Sequence, residues 1–478
     1  MNTFPSPDPR QTRFVPWIVA MALFMQTLDG SILNTALPAM ARSLHESPLN
    51  MQSAVISYLL TVAMLIPASG WLADRFGSRR VFILAIVAFA LGSLACAMSS
   101  SLTGLVIARI AQGVGGALMM PVGRLSVLRS FPRSELVRVL SFVTIPGLLG
   151  PLLGPTLGGW LVEYASWHWI FLINLPVGLI GCIAASRLMP DFKALESTSF
   201  DWIGFLLFAA AMALISLAFE GFGGLHYSHA RSVLLLAAGL ACLAAYGLHS
   251  RRHSTPLFNP RLFDIHSFSV GITGNLFARL GSGAMPFLTP LWLQVGLGYS
   301  PMEAGMSMIP LAIAGIAAKP VGTHLINRLG FRRVLVANTL ILGLLIAGFA
   351  LIDAGTPRTF LYAYLAVFGC INSLQFTAMN GLTLIDLDNV TAASGNSLLS
   401  VVMQLSISLG VASAAALLSG FVDLRESPGQ GVILDAFHKT YLCVGMMGAF
   451  ATAIFMQLNP AAMGRSVQGE KIREDDDG

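Results

Sequence analysis

The feature that most constrains the fold is a stretch that occurs twice. Residues 70–81 read G-W-L-A-D-R-F-G-S-R-R-V, and residues 323–334 read T-H-L-I-N-R-L-G-F-R-R-V. At the constant separation of 253 residues, Arg75 aligns with Arg328, Gly77 with Gly330, Arg79 with Arg332, Arg80 with Arg333 and Val81 with Val334. Asp74 aligns with Asn327. Each copy follows one long apolar run and precedes another. A short basic turn between two such runs, repeated halfway along a chain, points to a transporter built from two related halves.

The apolar runs exclude a water-soluble domain. Of 478 residues, 55% are hydrophobic and 11% charged, against about 25% charged in soluble domains. Runs of roughly 20 apolar residues recur, each able to cross a bilayer core of about 30 Å as a helix. The first run carries Asp29, lacks a small-residue cleavage site and is followed by many others, so it reads as a retained span. The five cysteines lie in or at the ends of apolar runs without metal-ligand spacing, so neither a disulfide framework nor a metal site is expected.

Fourteen helices are expected, at 14–38, 51–73, 81–99, 102–124, 138–162, 167–188, 201–220, 232–249, 268–295, 302–326, 333–353, 359–382, 392–421 and 438–458. The repeat pairs the second with the tenth. The fold class is therefore an all-α polytopic membrane protein with two pseudo-symmetric six-helix bundles, related by an axis near the membrane normal, plus two inserted helices. The divisions are 1–190, an inserted pair with linkers at 191–260, 261–460, and a tail at 461–478. With the N-terminus inside, the inner connections carry 20 of the 28 Lys and Arg residues and the outer ones five. This asymmetry predicts cytoplasmic N- and C-termini. The net charge of +5 is spread over many short loops, so it reflects topology and not a nucleic-acid surface. The acidic tail, Glu470–Asp477, reads as a solvated end.

Several stretches carry a family resemblance. Residues 70–81 resemble the loop between helices 2 and 3 of the major facilitator superfamily, although Ser78 stands where a basic residue is usual. Leu28-Asp29-Gly30-Ser31-Ile32 with Asn34 and Ala36-Leu37-Pro38 is similar to the helix 1 signature of its fourteen-helix drug:proton antiporters. Arg109-Ile110-Ala111-Gln112-Gly113 with Gly115-Gly116-Ala117 is similar to their helix 4 signature. Gly150-Pro151, Gly154-Pro155 and Gly158-Gly159 resemble their helix 5 antiporter signature. Trp167-His168-Trp169-Ile170-Phe171 with Asn174 and Pro176 resembles the same subgroup, with His168 where Arg is commoner. The resemblance implies the fold, rocker-switch alternating access and proton coupling. It also implies that Asp74, Arg75, Gly77 and Arg79, with Asn327 and Arg328 in the second copy, form a gate that clamps the cytoplasmic side. The competing reading of the arginines is simple topological anchoring.

Charge inside spans marks the candidate site. A charge at bilayer depth costs at least a few kcal/mol, so it normally faces a cavity or a partner. Asp29 is the proton-coupling candidate, because burial raises a carboxyl pKa and a nearby Arg lowers it; the alternative is a structural Asp paired with helix 4. Glu220, near the outer end of helix 7, is the weaker proton-carrier candidate and is expected to meet water. Arg109, Arg279 and Lys319 are substrate-binding candidates, and three cations against one firmly intramembrane carboxylate favour an anionic cargo. Gln26, Asn34, Gln112, Asn275, Gln294 and Gln375 could complete the pocket, as could Asn372, Asn380 and Gln404, or each could bond a neighbouring helix. Gly150, Gly154 and Gly158 share one face of helix 5, and with Pro151 and Pro155 they form the expected hinge. His226 and His229 lie in an outer loop and read as solvated.

A primary pump would need a phosphate loop, and none of the four lysines follows a glycine. A membrane enzyme or sensor would need a catalytic constellation or an output domain, and neither is visible. The expected function is a proton-coupled exporter of small organic solutes, in the inner membrane, without cofactor or catalytic residues and acting as a monomer. Its partners are then a small-molecule substrate, protons and the lipid bilayer. Multidrug efflux of lipophilic or cationic compounds is the alternative.

Overall fold

A computed structural model of the chain describes residues 9–193, 199–222, 229–388, 391–422 and 428–458. The expected tail 461–478, and His226 with it, lie outside these residues. The described residues contain helices and turns and no strand. A helix satisfies its backbone N–H and C=O groups internally, which apolar surroundings demand.

The first half comprises α1 (Pro9–Ser43), α2 (Gln52–Leu65), α3 (Ser69–Phe76), α4 (Ser78–Ala97), α5 (Leu102–Ser130), α6 (Arg133–Tyr164), α7 (Trp169–Leu172) and α8 (Asn174–Leu188). The inserted pair is α9 (Trp202–Phe222) and α10 (His229–Arg252). The second half comprises α11 (His266–Ser282), α12 (Met285–Leu291), α13 (Pro301–Ser307), α14 (Ile309–Gly348), α15 (Arg358–Leu384), α16 (Ala392–Phe421), α17 (Gln430–Phe450) and α18 (Thr452–Phe455). Eleven helices are long and apolar enough to cross a membrane, and one of them, Pro301–Leu351, joins two expected spans across a kink. With that one divided, and with α17 and the broken α11–α12 pair added, the described helices are consistent with fourteen crossings.

Glycine punctuates both copies of the repeated turn. Gly77 (φ 94°) separates α3 from α4, and Gly330 (φ 78°) kinks α14 at the matching position. Side-chain-bearing residues rarely adopt such φ values. The two sites differ in their surroundings. The Asp191 carboxylate sits against Gly77 and accepts the Arg79 backbone N–H at 3.0 Å, whereas the space beside Gly330 is empty. Elsewhere the helices depart from the expected runs. Pro67 makes a short 3₁₀ turn between α2 and α3, and the expected helix at 268–295 is broken after Ser282 and ends in a π-helical turn, Trp292–Gly296.

The glycines of α6 are spent on α1. A carbon added at Gly150 would lie 2.7 Å from the Leu28 backbone nitrogen, and one at Gly158 would lie 2.7 Å from the Ile32 carbonyl oxygen. At Gly154 it would meet the Ser31 hydroxyl, which donates to the Gly150 carbonyl at 2.9 Å. The helix runs unbroken through Pro146, Pro151 and Pro155.

We call the end at which α1 begins the base, and the opposite end the top. The halves meet where α2 packs on α16, α6 on α13 and α1 on α12. The top is joined by polar bonds. The Gln294 amide donates to the Thr35 carbonyl (2.9 Å), and Glu163 at the end of α6 accepts the Ser300 hydroxyl (2.8 Å) and the Met302 N–H (3.0 Å). Backbones touch there as well, since an added carbon at Gly305 would lie 2.2 Å from the Pro155 carbonyl oxygen. Of the inserted pair, α9 packs on both α2 and α16, and α10 packs mainly on α9.

Gly150→Ala should therefore force α1 and α6 apart and cost about 1–3 kcal/mol, the usual scale of overpacking. Gly70→Ala should be neutral, because nothing lies within 4 Å of its added carbon. Thermal unfolding of the two variants checks this; equal melting temperatures would show that the α1–α6 approach can relax.

Candidate functional site

The chemistry of the first half converges on Asp29, midway along α1. Arg109 and Gln112 are three residues apart on α5 and so share a face. The Arg109 Nη1 donates to Asp29 Oδ2 at 2.7 Å and to Gln112 Oε1 at 2.6 Å. The Gln112 amide donates to Asp29 Oδ1 (2.7 Å) and to the Ser93 hydroxyl on α4 (2.7 Å). From the start of α8, the Asn174 amide reaches the same two acceptors, at 3.0 and 3.1 Å. From α2, the Ala54 carbonyl accepts Arg109 Nε at 3.1 Å, and the Tyr58 ring lies 4.2 Å from the guanidinium carbon. Asp29 and Arg109 are 2% and 1% exposed. The result is a sealed ion pair with three donors on the carboxylate.

The helices come close enough because α5 is bare where they touch. An added carbon at Gly115 would lie 2.4 Å from the Phe89 nitrogen, and one at Gly113 would lie 2.8 Å from Thr61.

The second half holds a different arrangement. Arg279 on α11 is 6% exposed, and its Nε donates to Asn275 Oδ1 at 3.0 Å. Asn275 is held in turn by the Gly271 carbonyl and the Thr383 hydroxyl. The guanidinium carbon lies 4.5 Å from the centroid of the Phe376 ring on α15, and Phe376 is itself 43% exposed. Arg279 Nη2 is buried without a partner, and neither Arg279 nor Lys319 joins any ion pair among the described residues. Lys319 is half-buried on α14.

The other candidate residues are dispersed. Gln375 is buried inside the second bundle, bonded to Asn338 and Thr339. Gln294 bridges the halves at the top. The Gln26 amide donates to the Gly116 carbonyl and the Asn34 amide to the Gly30 carbonyl, while the oxygen of each is buried without a partner. Arg109 and Gln112, expected to line the pocket, are enclosed around Asp29. Glu220 does not meet water as expected: it is buried on the packed side of α9 and has no bonded partner among the described residues. In the repeated turn, Asp74 is half-buried and accepts from Arg129 at the end of α5 (2.6 Å). Arg75 is exposed, 5.4 Å from the centroid of Trp71. Asn327 and Arg328 are exposed.

Five of these partners were not foreseen as such. Ser93 and Tyr58 look like ordinary helix residues, Asn174 entered only as part of a motif, and Arg129 and Asp191 look like loop-facing charges. Only the pairing of Asp29 with helix 4 had a signal, since an intramembrane acid and base call for each other.

The family model of the Major Facilitator Superfamily matches residues 19–411 of the chain. The protein named "Putative multidrug resistance protein MdtD" in Pectobacterium atrosepticum is 49% identical over 464 residues, covering 97% of this chain and 99% of its own. Its namesake in Serratia proteamaculans is 49% identical, covering 92% of each. Among solved structures, a bacterial homologue of the human lysosomal transporter Spinster aligns with a TM-score of 0.66 at 13% identity, covering 94% of this chain and 97% of that one. A D-xylose–proton symporter aligns with a TM-score of 0.66 at 14% identity, covering 94% and 98%.

Two outcomes are expected from this geometry. Removing either charge of the Asp29–Arg109 pair strands the other, at a cost of about 3–5 kcal/mol. Asp29→Asn and Arg109→Gln should each destabilise the protein, and the double variant should lose less than the sum. Strictly additive losses in thermal unfolding would show that the pair is not coupled. Glu163→Ala should open the top, because it removes two bonds between the halves. Distances between spin labels on α6 and α13 would lengthen; an unchanged distribution would mean that apolar packing alone closes this end.

Proposed function

The chain belongs to the Major Facilitator Superfamily, and on that premise we propose that it is a proton-coupled antiporter that exports small anionic solutes by alternating access. The observation that carries the choice of cargo is Arg279. Burying an ion without compensation costs several kcal/mol, and among the described residues this guanidinium has an amide oxygen and a ring for company and no acid. Arg109 is already neutralised by Asp29, so the cations in mid-span without an ion pair among the described residues are Arg279 and Lys319. A carboxylate, phosphate ester or metal chelate would complete Arg279, and each charge-assisted hydrogen bond would contribute about 1.5–3 kcal/mol. Arg279, Asn275 and Lys319 form the proposed binding set, and Phe376 gives the guanidinium a flat support beside an open surface.

In this reading the termini are cytoplasmic, the membrane is the inner membrane, the top is the outer face and the transporter works as a monomer. A closed top then corresponds to a state open to the cytoplasm. Asp29 is held by three donors in that state, as befits a carboxylate that has released its proton inward. When the outer side opens, Asp29 separates from Arg109 and takes up a proton from outside. Return to the inward-open state restores the pair and expels the proton. One proton enters for each charge-neutralising cycle of Asp29, and cargo leaves on the opposite stroke. Asp74, Arg75, Gly77 and Arg79, with Asn327 and Arg328, act as the inner gate, in which Asp74 must exchange Arg129 for another partner.

The names of the relatives support a second reading, efflux of lipophilic or cationic compounds. It asks two unpaired cations to sit beside a cationic cargo, which repulsion opposes. Proteoliposomes with an imposed pH gradient separate the two. Uptake of di- or tricarboxylates should follow the gradient, Arg279→Gln should slow it by roughly tenfold or more, and Asp29→Asn should abolish its dependence on the gradient. Gradient-driven movement of cationic dyes with no response to carboxylates would replace the anion reading with the drug reading.

A further inference from the structure

One cluster of metal-ligating side chains lies away from the transport pathway, at the base of the inserted pair. Asp201 precedes α9, and its Oδ1 accepts the Gly204 N–H at 2.8 Å, capping that helix. Its Oδ2 accepts the Leu257 N–H at 3.2 Å, which draws the linker after α10 back to the start of α9. His249 lies in the last turn of α10, with Nε2 2.7 Å from Asp201 Oδ1. His253 follows one turn later, at the helical spacing that puts both rings on one side, and the ring centroids are 5.1 Å apart. One ligand atom from each of Asp201, His249 and His253 lies within 4.8 Å of the other two. Asp201 is buried and both histidines are half-buried.

We propose that Asp201, His249 and His253 form a three-ligand site for a divalent transition metal of the Zn²⁺ type, with a fourth position open to water. Two imidazoles and one carboxylate suit Zn²⁺, Co²⁺, Ni²⁺ or Cu²⁺ and not the all-oxygen preference of Ca²⁺ or Mg²⁺. Metal–ligand bonds of about 2.0–2.2 Å require the donors to draw closer than they stand, and His253 can supply that movement. Its present bond is the exposed 3.2 Å contact from the Thr255 N–H, which water can replace. His249 exchanges the Asp201 carboxylate for the metal that the carboxylate also binds. The carboxylate is already oriented by Gly204 and Leu257, the outer-shell support that metal ligands require. Arg251 and Arg252 are exposed on the same turn and make no described bond into the cluster. A bound metal would staple the start of α9, the end of α10 and the linker at Leu257 into one unit, on the helix pair that leans against both bundles.

The site is tested on full-length protein purified without a polyhistidine tag and stripped with chelator. Co²⁺ titration should give a visible ligand-field band that saturates at one equivalent, and Zn²⁺ should abolish it by competition. His253→Ala leaves the Asp201–His249 bond and the α9 cap in place, so it should keep the metal-free melting temperature while weakening Co²⁺ binding by at least roughly tenfold, the scale on which even outer-shell partners act. Should His253→Ala lower that melting temperature, His253→Gln, which retains bulk and polarity, takes its place. Asp201→Asn, which preserves the cap acceptor, should weaken binding as well. Absence of a stoichiometric Co²⁺ band, or binding unchanged in the His253 variants, would overturn the proposal and leave the cluster as a hydrogen-bonded latch.

Discussion

The ion pair between Asp29 and Arg109 is the interaction around which the first half is organised. Two charges taken out of water cost several kcal/mol each, and their attraction repays that only when the remaining lone pairs and protons are satisfied as well. Here they are satisfied by Gln112, Asn174, the Ala54 carbonyl and the Tyr58 ring, with Ser93 holding the two amides. Those groups come from α2, α4, α5 and α8, and Asp29 comes from α1. A rotation of any of the five helices by a fraction of a turn would unpair a buried group. The network therefore sets the rotational register of the bundle, a task that apolar packing between lipid-like surfaces performs poorly.

That network makes demands on its neighbours. Polar side chains of modest length meet only if the backbones approach closely, and the glycines of α5 permit this on the sides facing α4 and α2. The glycines of α6 do the same for α1, which positions Asp29 from the other side. The small residues of these two helices thus serve one construction. The α6 glycines share a face, as their spacing requires, but that face belongs to the interior of the first half. The contact between the halves falls on the neighbouring face, one residue further along at each step, where Gly159 meets Pro301 and Pro155 meets Gly305.

Much of the architecture could be read from the chain, because apolar length and the repeated turn are strong signals. Gly77 and Gly330 are legible individually: a glycine retained at the matching place in both copies marks a backbone that other residues cannot adopt, and both have positive φ. The break after Ser282 carries marks of its own, Gly281 and Gly283 around it and Pro286 just beyond, but such residues also sit inside unbroken helices, as Pro151 and Pro155 do in α6, so they do not by themselves divide a span. Site residues divide along the same line. Asp29 and Arg109 stand out because charge is expensive in mid-span. Gln375 and Gln294 stand out equally, yet one is bonded within its own bundle and the other at the top, because composition reports that a polar group is present and not which way it points. Asp191 and Glu163 were invisible, being charges at helix ends that pass for solvated residues until the fold sets a glycine turn or another half against them.

The contrast between the halves bears on what the protein moves. Were both halves sealed by matched ion pairs, no buried cation would remain for an anionic cargo to answer. The second half has instead an Asn where the first has a carboxylate partner for its arginine. Asn275 accepts one hydrogen bond from Arg279 and neutralises nothing. A guanidinium left with an unpartnered nitrogen beside the exposed ring of Phe376 is unfavourable for folding alone, and a purely structural role would be served better by Gln or Met. In the proposed reading the deficit is the recognition element. An anion makes good what Asn275 does not, and because the anion leaves on each cycle, the compensation comes from outside the chain, whereas Asp29 supplies it to Arg109 from within. The pair within the chain, parted only while Asp29 carries a proton, holds the helices of the first half in register, and the unpaired cation lies where the partner must come and go.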